Sequence, residues 1–177
     1  AGQTCVAPDY LCVHKSVAEK LLKLIVDEIH KQFGSNIRLS KDYPRVVNKS
    51  SLERLMSYLM DGKIYFGGNI DKDDLYMEPT IITKPDLKSP LMTDEIFGPI
   101  LPVLVYEDLS KVVEFINNRE KPLALYYFSE NKKKIKYILR ATTSGGVTIN
   151  DTIIHVANSN LPFGGVGNSG VGKYHGR

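Results

Sequence analysis

Seven consecutive residues near the middle of the chain, Ile100–Tyr106 (ILPVLVY), are nearly all apolar. A strand of this composition is typical of a sheet that is covered on both faces. Segments rich in β-branched and aromatic residues alternate around it with segments whose apolar residues recur at helical spacing. We predict strands at 10–14, 63–66, 80–83, 100–106, 123–129 and 146–150. We predict helices at 17–33, 109–117 and 132–142, and a further helix that carries Leu52, Leu55, Met56 and Leu59 and ends at Asp61-Gly62. This alternation predicts the α/β class, with a mostly parallel sheet covered by helices.

Capping residues set the expected ends of the first two helices. Ser16 is the predicted N-cap of the first helix, and Gly34 is its predicted stop. Ser50 or Ser51 is the predicted N-cap of the second helix. Residues 67–77 are expected to form a polar loop between two strands.

The composition excludes several classes of protein. The 177 residues, 42% hydrophobic and 24% charged, are enough for one domain with its own core. The net charge of +3 is too small to indicate binding to nucleic acid, and the basic run at 132–136 is expected to be a solvated helix face. No apolar stretch approaches the roughly 20 residues of a membrane span. Two cysteines without the spacing of a zinc motif predict reduced thiols, no metal site and a cytoplasmic protein.

The C-terminal tract 161–176 (LPFGGVGNSGVGKYHG) contains six glycines. So few side chains cannot build a core, and we expect irregular backbone that packs closely against other parts of the protein around an active site. The tract has no Lys-Ser/Thr pair after its glycines, and it does not open a helix after a strand. It therefore lacks the pattern of a phosphate-binding loop or a dinucleotide fingerprint.

Cys5 is the first candidate for chemistry. Gly2 precedes it and small residues follow it, so the thiol is expected to be accessible on a loop before a strand. A thiolate there is a workable nucleophile once its pKa is lowered from about 8.5. The alternative is a small buried residue, which is the expectation for Cys12 between its apolar neighbours.

The segment Glu95–Pro99 (EIFGP) is the second candidate. If it is extended, Glu95 and Phe97 point the same way, so that a carboxylate able to accept hydrogen bonds from a sugar diol lies beside a ring able to pack on a heterocycle. The alternative is a helix-terminal glutamate and a core phenylalanine. The four histidines show no catalytic spacing to an Asp or Cys and are expected to be structural.

Three segments together resemble the aldehyde dehydrogenase superfamily: Gly2–Tyr10 (GQTCVAPDY), Glu95–Pro99 (EIFGP) and Pro162–Gly170 (PFGGVGNSG). Their order along the chain makes the resemblance far more specific than any one of them. Arg119–Tyr126 (REKPLALY) and Lys173–Gly176 (KYHG) resemble the class 3 branch, whose members use fatty and aromatic aldehydes. The resemblance covers essentially the whole chain.

This resemblance implies a Rossmann-like catalytic domain over residues 1–177, with the tail 161–177 at the active site. It implies that Cys5 adds to the aldehyde carbon, and that the resulting thiohemiacetal gives up hydride to a nicotinamide and becomes a thioester. Glu95 matches the family glutamate that binds the nicotinamide ribose, and Phe97 matches the ring beside the nicotinamide. NAD or NADP is the implied cofactor.

The resemblance also implies a pocket for a small aldehyde substrate, and a homodimer. The pocket residues are Ile153, Val156, Phe163 and His175. In the family, the dinucleotide-binding domain, the general-base glutamate and the asparagine of the oxyanion hole precede the nucleophile. These 177 residues are therefore expected to be a fragment of the enzyme, inactive by itself.

Two other hypotheses stay open at this point. One is a cysteine-dependent hydrolase or esterase that uses Cys5 without a nicotinamide. The other is a non-catalytic assembly module that keeps only the fold.

Overall fold

The computed structural model describes residues 2–176, and their backbone divides into two compact units that meet in sequence between residues 107 and 108. The first unit contains, in chain order, β1 (Leu11–His14), α1 (Lys15–Phe33), a 3₁₀ turn (Ile37–Leu39), α2 (Lys49–Tyr58), β2 (Lys63–Phe66), β3 (Ile70–Asp71), β4 (Tyr76–Met77), β5 (Thr80–Thr83), α3 (Pro90–Thr93) and β6 (Ile100–Tyr106).

Four strands of this unit form one sheet in the order β1-β6-β5-β2. β6 pairs in parallel with β1 and with β5, whereas β2 pairs antiparallel with β5. The α/β class and the mostly parallel sheet are therefore confirmed, with β2 making the sheet mixed. Because β1 and β6 run in the same direction, the loops that precede them, 2–10 and 94–99, lie at the same edge of the sheet.

The core of the first unit lies between α1 and the sheet. Ala18 and Leu22 on one face of the helix pack against three strand residues, Val13, Ile81 and Val103. Fully burying one such aliphatic side chain contributes about 1.5–3 kcal/mol, so this cluster holds the helix on the sheet. β6 is less enclosed than predicted, since Val105 is 57% exposed.

The predicted N-caps of the first two helices are wrong, although the helices themselves are confirmed. The ring of His14 caps α1 by accepting the N–H of Ser16, and the side chain of Asn48 caps α2 by accepting the N–H of Ser51. Gly34 ends α1 as predicted, with a φ of +82°.

The predicted polar loop 67–77 instead contains the short antiparallel hairpin β3–β4. Tyr76, in β4, is buried against Tyr43, with the two ring centroids 5.9 Å apart. This contact joins residues far apart in sequence, so a local pattern could not have indicated it.

The second unit contains α4 (Leu109–Asn117), β7 (Ala124–Tyr127), α5 (Lys132–Ala141), β8 (Gly146–Ile149), α6 (Ile154–Ala157) and a 3₁₀ turn (Gly167–Ser169). β7 and β8 pair in parallel, with Ala124 opposite Gly146. The two four-residue helices, α3 and α6, were not predicted, because they are too short to show a helical period. Within residues 2–176, no helix has the length and apolarity needed to cross a bilayer.

Candidate active site

Cys5 is exposed, and it lies in a tight turn closed by a 2.9 Å hydrogen bond from the Ala7 N–H to the Thr4 carbonyl. The next residue, Val6, is buried and anchors the turn. Cys12 is half-buried in β1, so it is more accessible than a core residue but less accessible than Cys5. The expectation that Cys5 is the accessible thiol is therefore consistent with the structure.

The amide of Gln3 fixes the start of this turn. Its Nε2 donates to the carbonyl of Arg45 at 2.9 Å, and its Oε1 accepts the N–H of Val47 at 2.9 Å. Because both polar atoms bond to backbone, the loop before Cys5 is tied to the segment that leads into α2.

The loop that carries Cys5 contacts the segment 94–98 on both sides of the thiol. Gly2 has a φ of +72°, and a Cβ at this position would overlap the carbonyl oxygen of Gly98. After the turn, the Asp9 Oδ1 accepts the N–H of Ile96 at 2.9 Å. The structure thus brings together, within the first unit, the loop of Cys5 and the segment Glu95–Pro99, the two candidates from the sequence.

Glu95 and Phe97 are both exposed, whereas Ile96 and Gly98 are buried. The condition of an extended segment, on which the shared direction of Glu95 and Phe97 depended, is not met throughout, because Phe97 lies in the left-handed region with a φ of +48°. The alternation in exposure still presents the carboxylate and the ring to solvent. Phe97 is 39% exposed, so it does not fit the alternative of a core phenylalanine. Glu95 directly follows the C-cap of α3, so its position at a helix end agrees with that part of the alternative, and its role stays a prediction.

Sequence reasoning missed Arg54, which holds the backbone of this segment. From α2, its Nη1 donates to the carbonyl of Glu95 at 3.1 Å and its Nη2 donates to the carbonyl of Ile96 at 2.8 Å. These partners are 41 and 42 residues away, and an arginine on a polar helix gives no local signal of such contacts.

In the second unit, the glycine-rich tail folds back on itself. Phe163 and Tyr174 form an isolated antiparallel bridge, with both N–H···O distances at 2.6 Å. Gly164 lies so close to the carbonyl of Gly172 that a side chain there would overlap it. The tail also borders an open cavity of about 470 Å³, which Leu123 helps to line.

The four predicted pocket residues all lie in this second unit. Ile153, with a φ of +66°, precedes α6, and its carbonyl accepts the N–H of Val156 at 2.8 Å. The exposed ring of His175 packs on the ring of Tyr174, with centroids 3.8 Å apart, while Phe163 is half-buried across the bridge from Tyr174.

His155, in α6, packs its ring against β8 and near Phe163 of the tail. It is buried, its ring centroid lies 6.3 Å from that of Phe163, and its Nδ1 is 2.9 Å from the Thr148 hydroxyl oxygen. Its Nε2 faces Gly146 and has no hydrogen-bond partner among the described residues. Burial therefore lowers the pKa of His155, because the charged imidazolium would lose its hydration.

We expect this buried imidazole to make folding pH-dependent. An unfolded histidine titrates near pH 6.5, and the folded state resists that protonation, so the free energy of unfolding falls as the pH drops below about 6.5. Urea unfolding between pH 5 and 8 should show a weaker pH slope for His155→Gln than for the wild type. The exposed His175, changed to Gln, is the matched control; an unchanged slope in His155→Gln would contradict the assignment.

The described residues contain no group of three or more His, Cys, Asp or Glu side chains that could hold a metal ion. The candidate site in the first unit consists of the exposed thiol of Cys5, the exposed carboxylate of Glu95 and the exposed ring of Phe97. These three groups lie on two backbone segments that contact each other. The pocket residues form a separate set in the second unit.

Comparisons with known proteins find relatives along the whole length of the chain. The chain is 48% identical over 176 residues to the mouse protein "Aldehyde dehydrogenase family 3 member A2", covering 99% of the chain and 36% of that protein. It is 44% identical to the bovine "Aldehyde dehydrogenase, dimeric NADP-preferring", covering 100% of the chain and 74% of that sequence. The chain spans only 36–39% of the length of other relatives, the mouse protein among them.

The fold of the chain also matches that of a solved structure. The structure described as "Substrate bound state of Staphylococcus Aureus AldH" superposes with a TM-score of 0.95 at 47% identity, covering 99% of this chain and 39% of that one. A sequence model of the aldehyde dehydrogenase family matches residues 1–177. With its whole length and its fold matched, the chain belongs to the aldehyde dehydrogenase family.

Proposed function

We propose that residues 1–177 form a catalytic domain of an NAD- or NADP-dependent aldehyde dehydrogenase of the class 3 type, which oxidises aldehydes to carboxylic acids. One observation carries this proposal. The loop that bears the exposed thiol of Cys5 packs, on both sides of that thiol, against the segment that presents Glu95 and Phe97. The names of the relatives support the same activity.

The residues on the segment 94–98 fit a nicotinamide riboside. The carboxylate of Glu95 is exposed and can accept hydrogen bonds from both ribose hydroxyls, and the ring of Phe97 is exposed and can pack on the nicotinamide. When bound, the dinucleotide would supply the hydride acceptor for the oxidation. The name of the bovine relative includes NADP preference, and for this chain we propose either dinucleotide.

Cys5 performs the covalent step in this proposal. Its thiolate adds to the aldehyde carbon, forming a C–S bond, and the carbonyl oxygen becomes an oxyanion to which the Cys5 backbone N–H can donate. After oxidation the acyl group remains on sulfur as a thioester. Water then replaces the sulfur at the acyl carbon, which releases the carboxylic acid and restores the thiol.

The second unit supplies the proposed substrate pocket. Phe163, Ile153, Val156 and His175 offer apolar and aromatic surface of the kind that suits a fatty or aromatic aldehyde. A homodimer in the cytoplasm completes the proposal, and the word "dimeric" in a relative's name supports the first part of it.

The hydrolase alternative is not retained, because each histidine is engaged locally. His14 contacts the hydroxyl of Ser16, His30 contacts the carbonyl of Gly34, and His155 contacts Thr148. His175 packs on the neighbouring Tyr174 ring. A hydrolase that uses Cys5 needs a base beside the thiol, and the histidines of the first unit, His14 and His30, make these local contacts instead. The family model and the named relatives are those of aldehyde dehydrogenases, which favours the dehydrogenase.

The substitution Glu95→Gln in the full-length enzyme tests the cofactor role. It keeps the shape of the side chain but removes the charge that strengthens its hydrogen bonds, so we expect hydride transfer to slow on the order of tenfold while the fold is unchanged. Single-turnover NAD(P)H formation measures this rate. Glu53→Gln, on the exposed face of α2, is the matched control, and wild-type rates in Glu95→Gln would make Glu95 a structural residue.

A further inference from the structure

Arg54 makes two parallel hydrogen bonds to the backbone of the segment 94–98. Its Nη1 lies 3.1 Å from the carbonyl oxygen of Glu95, and its Nη2 lies 2.8 Å from that of Ile96. A guanidinium holds its N–H donors in a rigid plane, so bonds to two consecutive carbonyls fix the orientation of both peptide groups.

Ile96 is held from the other side as well. Its N–H donates to Asp9, which belongs to the loop that carries Cys5, and its side chain is only 2% exposed. Both backbone polar groups of this residue are thus bonded to charged side chains from different elements. The residue is immobilised between α2 and the thiol loop.

Phe97, which follows Ile96, has a backbone conformation that depends on these hydrogen bonds. Phe97 has a φ of +48°, a conformation that a residue with a bulky side chain rarely adopts. Such backbone persists only where the surroundings determine it by several contacts. The bonds of Arg54 and Asp9 to the preceding residue provide those contacts.

The guanidinium of Arg54 is itself oriented by a buried phenol. The hydroxyl of Tyr58, which is 1% exposed, accepts from Arg54 Nη1 at 2.9 Å and donates to the Asp94 Oδ2 at 3.1 Å. The positive charge is thereby linked to a carboxylate through one hydroxyl. Arg54 contacts backbone and the phenol, which leaves the Glu95 carboxylate and the Phe97 ring available to a ligand.

We propose that Arg54 is a positioning residue that sets Glu95 and Phe97 for dinucleotide binding and hydride transfer. This inference rests on the proposed function, since it names how the cofactor-facing segment of the same site is held. Arg54 acts through the backbone of the segment and not through contact with the cofactor.

The first test uses the full-length enzyme without cofactor. Arg54→Met removes both hydrogen bonds, and Arg54→Lys retains at most one, because an ammonium cannot match the two-pronged geometry. We expect amide hydrogen exchange in a peptide covering 94–99 to be on the order of tenfold faster in Arg54→Met and intermediate in Arg54→Lys. Arg140→Met, on an exposed position of α5, is the matched control and should leave this exchange unchanged.

The second test measures cofactor affinity by titration calorimetry and hydride transfer by single turnover. We expect Arg54→Met to slow hydride transfer on the order of 10²-fold, as misplacement of reacting groups by about 1 Å can do, and to raise the Kd for the dinucleotide. Partial recovery in Arg54→Lys would support a positioning role, since that variant also controls for folding.

The two tests separate the possible failures. Unchanged exchange in Arg54→Met would overturn the inference whether or not the protein binds a dinucleotide. Faster exchange with wild-type Kd and hydride transfer would also overturn it, because Arg54 would then be only structural. If the wild type itself bound no dinucleotide, the proposed function would be wrong, and the positioning role with it. If the wild type binds the dinucleotide and only the Arg54 variants show faster amide exchange, weaker binding and slower hydride transfer, both proposals are supported.

Discussion

Replacing Cys5 by alanine in the full-length enzyme is expected to reduce aldehyde oxidation by at least about 10⁴-fold, the scale seen when a catalytic nucleophile is removed. No other described side chain on this exposed turn offers a thiol, and without it no covalent acyl intermediate can form. The measurement is steady-state NAD(P)H formation with hexanal or benzaldehyde.

Cys12→Ala is the matched control for this experiment. Cys12 lies in β1, opposite Leu104, so its loss should weaken packing slightly and leave turnover within a few-fold of wild type. Iodoacetamide should also label the exposed Cys5 before the half-buried Cys12 in folded protein. Full activity in Cys5→Ala, or labelling of Cys12 first, would show that the nucleophile has been misassigned.

Gly2→Ala is the second change with a large expected effect. A left-handed backbone costs a residue with a Cβ about 1–2 kcal/mol, and relieving an overlap in a packed region adds about 1–3 kcal/mol. The new Cβ would overlap the carbonyl oxygen of Gly98, so we expect the free energy of unfolding to fall by about 2–5 kcal/mol. The turn that holds Cys5 would also shift from the segment 94–98, lowering turnover on the order of 10²-fold.

Gly34→Ala separates backbone strain from the loss of this contact. Gly34 also has a positive φ, but a Cβ there would meet nothing within 4 Å. We expect it to destabilise the fold by about 1–3 kcal/mol and to leave turnover unchanged. Chemical denaturation and steady-state kinetics on both variants make the comparison; equal loss of activity in the two would refute a specific role for the Gly2–Gly98 contact.

Much of the fold could be predicted from the sequence, because in most helices and strands the pattern of apolar residues indicates the type of element. The strands 63–66, 80–83 and 100–106 have the predicted bounds, and α1 ends at Gly34 as predicted. The N-caps were wrong because several polar residues near each helix start can accept an N–H, and the local sequence does not decide between them. The buried hairpin at 70–77 depends on contacts with Tyr43, which lies far away in sequence.

The candidate site also contains some residues that the sequence indicated and others whose contacts depend on the fold. Cys5, Glu95 and Phe97 were identified because each lies in a distinctive motif, and their roles stay predictions until the variants are measured. The contacts of Arg54 and Asp9 could not have been predicted, although Asp9 lies in the same motif as Cys5, because each acts on backbone atoms in a distant segment. A hydrogen bond to a carbonyl or an N–H depends on the three-dimensional path of the chain and leaves no trace in residue type.

The contact between Asp9 and Ile96 has a consequence for biosynthesis, since its partners are 87 residues apart. A ribosome adds about 5–20 residues per second, so the thiol loop emerges several seconds before the strand and loop that will hold it. During that interval Cys5 lacks the neighbours that define its surroundings in the folded protein. The nascent chain is therefore expected to be most open to oxidation or chaperone binding at this cysteine until β6 has been synthesised and has paired with β1.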